Sequence, residues 1–241
     1  MIELINLKKR FDDQWVTQGV SLEIPNNKMT VIIGKSGEGK SILLKQIIGL
    51  IKPTSGNVII NGVNIVGLSD NKMDDIFQKI GYVFQSAALL DSLNVFENIG
   101  LTLLEKGIKK NKIVPIVKEK LSLVNLPLDS LEKYPSELSG GMQKRVGLAR
   151  TLVTNPQIIL YDEPTTGLDP ITSRIIFELM CDMQRRLNLT SIVISHNLDI
   201  FKYADKVALL ADGKIRFFGV AKTIWDSDNP YIYQFIRGLP N

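Results

Sequence analysis

The chain has 241 residues, 44% of them hydrophobic and 22% charged, with 29 Lys and Arg against 25 Asp and Glu for a formal net charge of +4. That length is ample for a buried core, and the composition sits near the globular average, which excludes disordered, collagen-like and coiled-coil chains. The lone cysteine, Cys181, and the lone histidine, His196, exclude disulfide scaffolds and zinc fingers and point to a reducing, cytosolic compartment.

Residues 1–10 carry an acid at Glu3 and place their basic residues after the apolar ones, the reverse of a secretory signal. No uninterrupted apolar run approaches the ~18 residues of a membrane span. The chain is therefore expected to be soluble and to be held at any membrane by a partner.

Apolar, β-branched runs predict strands at 2–7, 20–24, 30–33 and 57–65, with a helix over 40–50 and a further strand at 79–85. From 91 to 155 the period is helical. One helix there is expected to start near Lys112, because Pro115 is tolerated only around a first turn. Another runs from Ser139, with Met142, Val146, Ala149 and Val153 on one stripe. Strands return at 157–161, 191–195 and 206–211. A helix from about Pro170 turns Ile176, Met180, Met183 and Leu187 inward. Ala211-Asp212-Gly213 reads as a hairpin turn before a strand at 214–218, and 220–237 as a helical tail. The pattern predicts one α/β domain, 1–241, whose core (1–90 and 156–241) is interrupted by a helical insert (91–155).

Gly34-Lys35-Ser36-Gly37-Glu38-Gly39-Lys40-Ser41, followed by Ile42, matches G-x-x-x-x-G-K-[ST] between a predicted strand and a predicted helix. Glycines let successive backbone N–H groups turn toward phosphate oxygens, and the helix start adds its positive dipole end. Lys40 is expected on the β- and γ-phosphates of ATP, and the Ser41 hydroxyl on Mg²⁺. The apolar strand ending in Asp162-Glu163 supplies a metal carboxylate, Asp162, and a residue placed to polarise or order the attacking water, Glu163. His196 ends the strand at 191–195. No Ser–His–Asp triad is evident and no G-x-S-x-G turn exists, so polar contact with the γ-phosphate is the role that remains.

Leu138-Ser139-Gly140-Gly141-Met142 begins a helix and, with the loop and the acids, resembles the signature of the ATP-binding cassette (ABC) ATPases, usually Leu-Ser-Gly-Gly-Gln. Met142 departs from that pattern at the last position. The resemblance covers essentially the whole chain and implies a P-loop NTPase ABC cassette: a mixed-sheet nucleotide-binding core with an antiparallel β portion and an inserted helical subdomain. It implies the Q-loop glutamine at Gln85, reaching Mg²⁺ and coupling the site to a permease, and the D-loop at Thr166-Gly167-Leu168-Asp169, with Asp169 at the shared nucleotide. It makes His196 the switch histidine. It places an aromatic ring on adenine, Phe11 by spacing, with Trp15 as the competitor. Ser139, Gly140 and Gly141 form a second anion site, which in this family serves the nucleotide of a partner cassette. Two copies then pair head to tail as a twofold homodimer.

An integral membrane permease is implied near 85–98, where Leu89 and Leu93 are expected to form an apolar docking patch. A narrower resemblance, at 34–41, 84–93 and the Ser-Gly-Gly-Met run, is to the ATPases of Mla and Mce-type importers, which move phospholipids or other hydrophobic molecules. Relatives of that kind have also been labelled solvent-efflux or ribonucleotide-transport ATPases. The resemblance implies lipid-binding Mce-type and small accessory partners, no nucleic acid, and a place on the cytoplasmic face of the inner membrane. The alternative is an ABC ATPase of genome maintenance or translation, whose members usually carry a long coiled coil or a second cassette. Lys106, Lys109, Lys110 and Lys112 read as a solvated face, with anionic lipid as the minority reading.

Overall fold

The computed structural model describes residues 1–238. Its strands form two sheets. Strands β1 (Ile2–Phe11), β2 (Gln14–Ile24), β4 (Ser55–Ile60) and β5 (Val63–Asn64) make an antiparallel sheet in the order β2-β1-β4-β5. Strands β3 (Met29–Ile33), β6 (Ile80–Val83), β7 (Ile158–Asp162), β8 (Thr190–Ile194), β9 (Lys206–Ala211) and β10 (Lys214–Val220) make a mixed sheet in the order β10-β9-β3-β8-β7-β6. Only the β9–β10 pair is antiparallel within it.

Every residue of β3, β7 and β8 is buried, which is why these segments read as continuous apolar runs rather than alternating ones. The pleat divides them between two cores. Ile158 and Leu160 of β7 face helix α1 (Lys40–Ile47) and the antiparallel sheet, together with Leu43, Leu44, Leu4 and Val20. Ile159 and Tyr161 face the other side, against α5 (Gly140–Leu152) and α6 (Pro170–Arg186). Helices α3 (Val95–Glu105) and α4 (Lys110–Leu123) pack on α5 and complete the helical subdomain, whose buried side chains are continuous with this second core. Cys181 is buried on α6, where desolvation pushes its thiol up, as suits a packing residue.

Several expectations are corrected. The strand expected over 57–65 is the hairpin β4–β5, since Asn61 and Gly62 turn it at φ +50° and +82°. Helix α4 starts at Lys110, with Pro115 inside it rather than near its first turn. A helix-interior proline costs ~3 kcal/mol. Ile113, Val117 and Leu121 are fully buried, each contributing roughly 1.5–3 kcal/mol, and outweigh it. Leu187 is 39% exposed at the end of α6, not inward. The tail is no single helix: a 3-10 turn, Ala221–Asp226, stops before α7 (Pro230–Arg237), which Asn229 caps and Pro230 opens. Helix α2 (Asp70–Phe77) has no counterpart among the expected elements; its eight residues are too few for a periodic signal.

Fully buried Asn98 of α3 shapes the loop that follows β6. Its Oδ1 accepts from the Leu90 N–H at 2.9 Å, and its Nδ2 donates to the carbonyls of Leu90, Leu93 and Asn94 at 2.8–3.1 Å. Asn98→Ala orphans these groups, and a stability loss on the order of 1–3 kcal/mol is expected, read as a lower denaturant midpoint at unchanged m value.

Candidate functional site

The phosphate loop joins β3 to α1 at the carboxyl end of the mixed sheet. Gly39 caps α1 at φ +86°, and a Cβ there would run into Val16 of β2. Gly34 is pressed equally hard against the Leu210 carbonyl of β9. The curl of the loop therefore requires glycine at both places. Lys40 is buried, its ammonium resting on the carbonyls of Gly34 and Lys35 at 2.9 and 2.8 Å. Burial holds that ammonium below its usual range, against the pull of Glu163, Glu38 and Asp162. The Glu38 side chain points elsewhere: its carboxylate accepts from the Asp212 N–H at 2.8 Å and anchors the β9–β10 turn, so only its backbone belongs to the loop.

Because Leu160 faces α1, so does Asp162 two residues on. Its Oδ1 takes the Ser41 hydroxyl at 2.8 Å and its Oδ2 the Tyr82 hydroxyl at 2.9 Å. Burial and the adjacent carboxylate push the Tyr82 phenol well above its usual range, which keeps it a donor. A hydroxyl and a carboxylate side by side are hard oxygen ligands of the kind Mg²⁺ prefers, so the residues present fit that ion.

Glu163 follows at φ +49°, uncommon for a non-glycine residue and a form of local strain that concentrates at functional sites. Its N–H continues the sheet ladder to the Ile194 carbonyl at 3.1 Å. The Thr166 hydroxyl donates to its Oε2 at 2.9 Å, and Nδ1 of His196 lies 3.1 Å from the same oxygen. Against a carboxylate Nδ1 is the donor, and Nε2 points away on a ring 65% exposed. The Ser195 hydroxyl accepts from the Asn197 N–H at 3.0 Å and takes no part.

Gln85 is exposed after β6, and its carbonyl accepts from the buried Lys144 ammonium of α5. Arg150 donates to the carbonyls of Ala87 and Ala88 at 2.9 and 2.7 Å, so α5 grips this loop along its length. Ser139 caps α5, accepting from the Met142 N–H at 3.3 Å. Asp169 caps α6, and its hydrogen bonds from Thr172 hold its carboxyl below the usual carboxylate range. The two helix starts abut, Gly141 against Thr172 and Gly140 against Leu168. An open cleft of about 600 Å³ runs from Lys45 and Asp162 past Gln85 to Gly140; no residue of 34–41 lines it.

Phe11 and Trp15 sit on the β1–β2 hairpin, 43% and 42% exposed, each under a cation, Lys9 and Arg10. The hairpin passes over the phosphate loop through Val16. Contacts not anticipated from the sequence are those of the Tyr82, Lys144, Arg150 and Thr166 side chains and of the Asp212 N–H. Thr166 alone carries a local signal, three residues after Glu163 in a turn. A second cavity, of about 370 Å³, opens at the opposite end of the sheet among asparagines. Asn27, Asn61, Asn155 and Asn188 all make left-handed turns there, and no charged side chain lines it.

A glycine loop feeding a helix start, with a lysine inside it and a hydroxyl–carboxylate pair beside it, defines a P-loop nucleotide-binding protein. A family model described as ABC transporter matches residues 17–166. The probable ribonucleotide transport ATP-binding protein mkl of Mycobacterium bovis is 39% identical over 239 residues, covering 98% of this chain and 66% of its own length. The methionine import ATP-binding protein MetN of Carboxydothermus hydrogenoformans is 43% identical over 207 residues, covering 86% of this chain and 61% of its own. The chain thus spans just under two thirds of these curated relatives. Among solved structures, the ATP-binding cassette MJ0796, dimeric in a post-hydrolysis state with ADP and Pi, superposes with a TM-score of 0.83 at 31% identity, covering 92% of this chain and 99% of its own. Clostridium perfringens cbiO1, part of the ABC transporter complex cbiONQ, gives 0.87 at 27% identity over 98% of this chain and 94% of its own. The chain belongs to the ABC transporter family. It is an ATP-binding cassette, of a class of ATPases that bind ATP with Mg²⁺ and are coupled to transport.

Proposed function

We propose that this chain is the ATP-hydrolysing subunit of an ABC transporter, working as a head-to-tail pair. The observation that carries this reading is the Glu163 carboxylate, fixed by Thr166 and His196 one residue beyond the Ser41–Asp162 pair. In this reading 1–90 and 156–241 act as the nucleotide-binding core and 91–155 as the helical arm. Ser41 and Asp162, with Gln85 reaching in, would hold Mg²⁺, which would neutralise charge on the phosphates. Residues 34–42 cradle those phosphates, and Phe11 stacks on the adenine. The Lys40 ammonium exchanges its two loop carbonyls for phosphate oxygens. Glu163 orients water and takes its proton while the water oxygen bonds to the γ-phosphorus and the bond to the ADP oxygen breaks; the proton then leaves with the released phosphate. His196 keeps Glu163 in place through Nδ1–H and, with a proton on Nε2 as well, donates from Nε2–H to the γ-phosphate.

The partner's Ser139, Gly140 and Gly141 close the site from outside, with Asp169 beside them. The dimeric state of the related MJ0796 cassette supports this arrangement. Phosphate release from purified protein tests it: the rate per chain is expected to rise with protein concentration until dimers saturate. A concentration-independent rate from a monomer would overturn it.

The transport partner is an integral membrane permease, which holds the cassette at the cytoplasmic face of the inner membrane. No helix among the described residues is long and apolar enough to cross a membrane. For docking we favour Phe77, Phe84 and Leu90, 37–47% exposed around a groove of about 670 Å³, over Leu89 and Leu93, which are both half-buried. Phe84→Asp with Leu90→Asp is expected to release the chain from membranes in a sedimentation assay with its fold intact. Full retention would remove the groove from the interface.

For cargo, we favour a phospholipid or similar hydrophobic molecule, handled with Mce-type and small accessory subunits, on the resemblance at 34–41, 84–93 and 139–142. The names of the mkl and MetN relatives support ribonucleotide or methionine as the second reading. The molecule that co-purifies with, and stimulates hydrolysis by, the detergent-extracted complex separates the two.

A further inference from the structure

Tyr82 carries a hydroxyl that its packing does not need. On edge strand β6 it pairs with Leu160 of β7, and its ring lies against the core between the mixed sheet and α1, with Ile158 and Leu160. Phenylalanine would cover the same surface. Asp162 lies two residues further along the same face of β7, roughly 6.6 Å on, which the length of a tyrosine side chain spans. There the phenol O–H donates to Oδ2 at 2.9 Å. The ring of Phe84, 4.6 Å away between centroids, backs the phenol. Asp162, only 9% exposed as a residue, thus has its carboxylate held from two sides, by Ser41 on Oδ1 and by Tyr82 on Oδ2. Ser41 is itself assigned to the metal, so its hydroxyl oxygen would have to serve the cation as well as Oδ1. Tyr82 has no such second duty and remains as the fixed anchor.

We infer that Tyr82 is a positioning residue for Asp162, fixing Oδ2 of the carboxylate that would hold the divalent cation of bound nucleotide. This rests on the reading of Ser41 and Asp162 as the holders of that cation. A hydrogen-bond partner behind a metal ligand contributes about 10–100-fold in metal affinity. Loss of the hydroxyl should therefore weaken the metal without weakening the nucleotide.

The test compares native protein, Tyr82→Phe and Asp162→Asn. Mn²⁺ is titrated into protein saturated with a non-hydrolysable ATP analogue and followed by its EPR signal, and a fluorescent ATP analogue is titrated separately without metal. Tyr82→Phe is expected to bind Mn²⁺ about 10–100-fold more weakly, to keep metal-free nucleotide affinity within about twofold, and to need proportionately more Mg²⁺ for half-maximal hydrolysis. Native Mn²⁺ affinity in Tyr82→Phe overturns the proposal. So does a parallel loss of metal-free nucleotide affinity, which would make the hydroxyl a support of the fold. Native Mn²⁺ affinity in Asp162→Asn strikes instead at the assignment of the metal site on which the proposal stands.

Discussion

Glu163→Gln is expected to lower turnover by about 10²–10⁴-fold, the range a positioned general base contributes, while ATP binding survives. The amide keeps the size of the carboxylate, and its oxygen still accepts from Thr166 and from Nδ1 of His196. The backbone at φ +49° and its bond to Ile194 are untouched. What disappears is the ability to take the proton of water. One negative charge also leaves the neighbourhood of Lys40 and of the incoming phosphates, a change that favours ATP. Nucleotide that binds but is not cleaved should hold two chains together, so size-exclusion chromatography with Mg²⁺ and ATP is expected to show a stable dimer in the variant. Phosphate release at the native rate would remove Glu163 from the chemistry.

Ser139→Arg is expected to abolish hydrolysis while leaving nucleotide affinity of the variant's own loop intact. The substitution removes the hydroxyl that caps α5, a loss of ~1 kcal/mol, which the burial of Val146, Leu148, Ala149 and Leu152 on the same helix tolerates. It also sets a long cation in front of the N–H groups that would receive a partner's γ-phosphate. The decisive version mixes this chain with Lys40→Ala. Each variant alone is dead, yet a mixed dimer holds one site built from an intact loop and an intact helix start. If the sites act independently, an equal mixture should recover about a quarter of native activity. No recovery, in a mixture shown to form dimers, would contradict a site shared between copies.

Much of this site was legible because its parts are local. The loop at 34–41 announces itself by glycines where the backbone needs positive φ, and Asp162 and Glu163 by an apolar run that ends in two acids. Ser139 and Pro170 read as helix starts from their own neighbours, and Ser139 and Asp169 cap those helices. Even the 121-residue separation of Ser41 and Asp162 did not hide their meeting, since strand ends and helix starts share one edge of an α/β sheet.

Other features depended on register and on which face a side chain takes. The helix containing Pro115 looked too short because proline is costly locally, whereas burial of Ile113, Val117 and Leu121 is a gain made with other helices. Leu89 and Leu90 are equivalent as letters, yet the Asn98 bonds that shape their loop leave the first packed and the second exposed. The reach of Tyr82 to Asp162 exists because β6 and β7 run parallel with Tyr82 opposite Leu160. The amino-acid order by itself determined the phosphate loop, the acids and the helix starts, each a matter of backbone conformation within a few residues. Only the tertiary structure decided which oxygens of Asp162 and Glu163 are held, by whom, and which apolar side chains face outward, because those depend on strand register and packing between segments far apart in the chain.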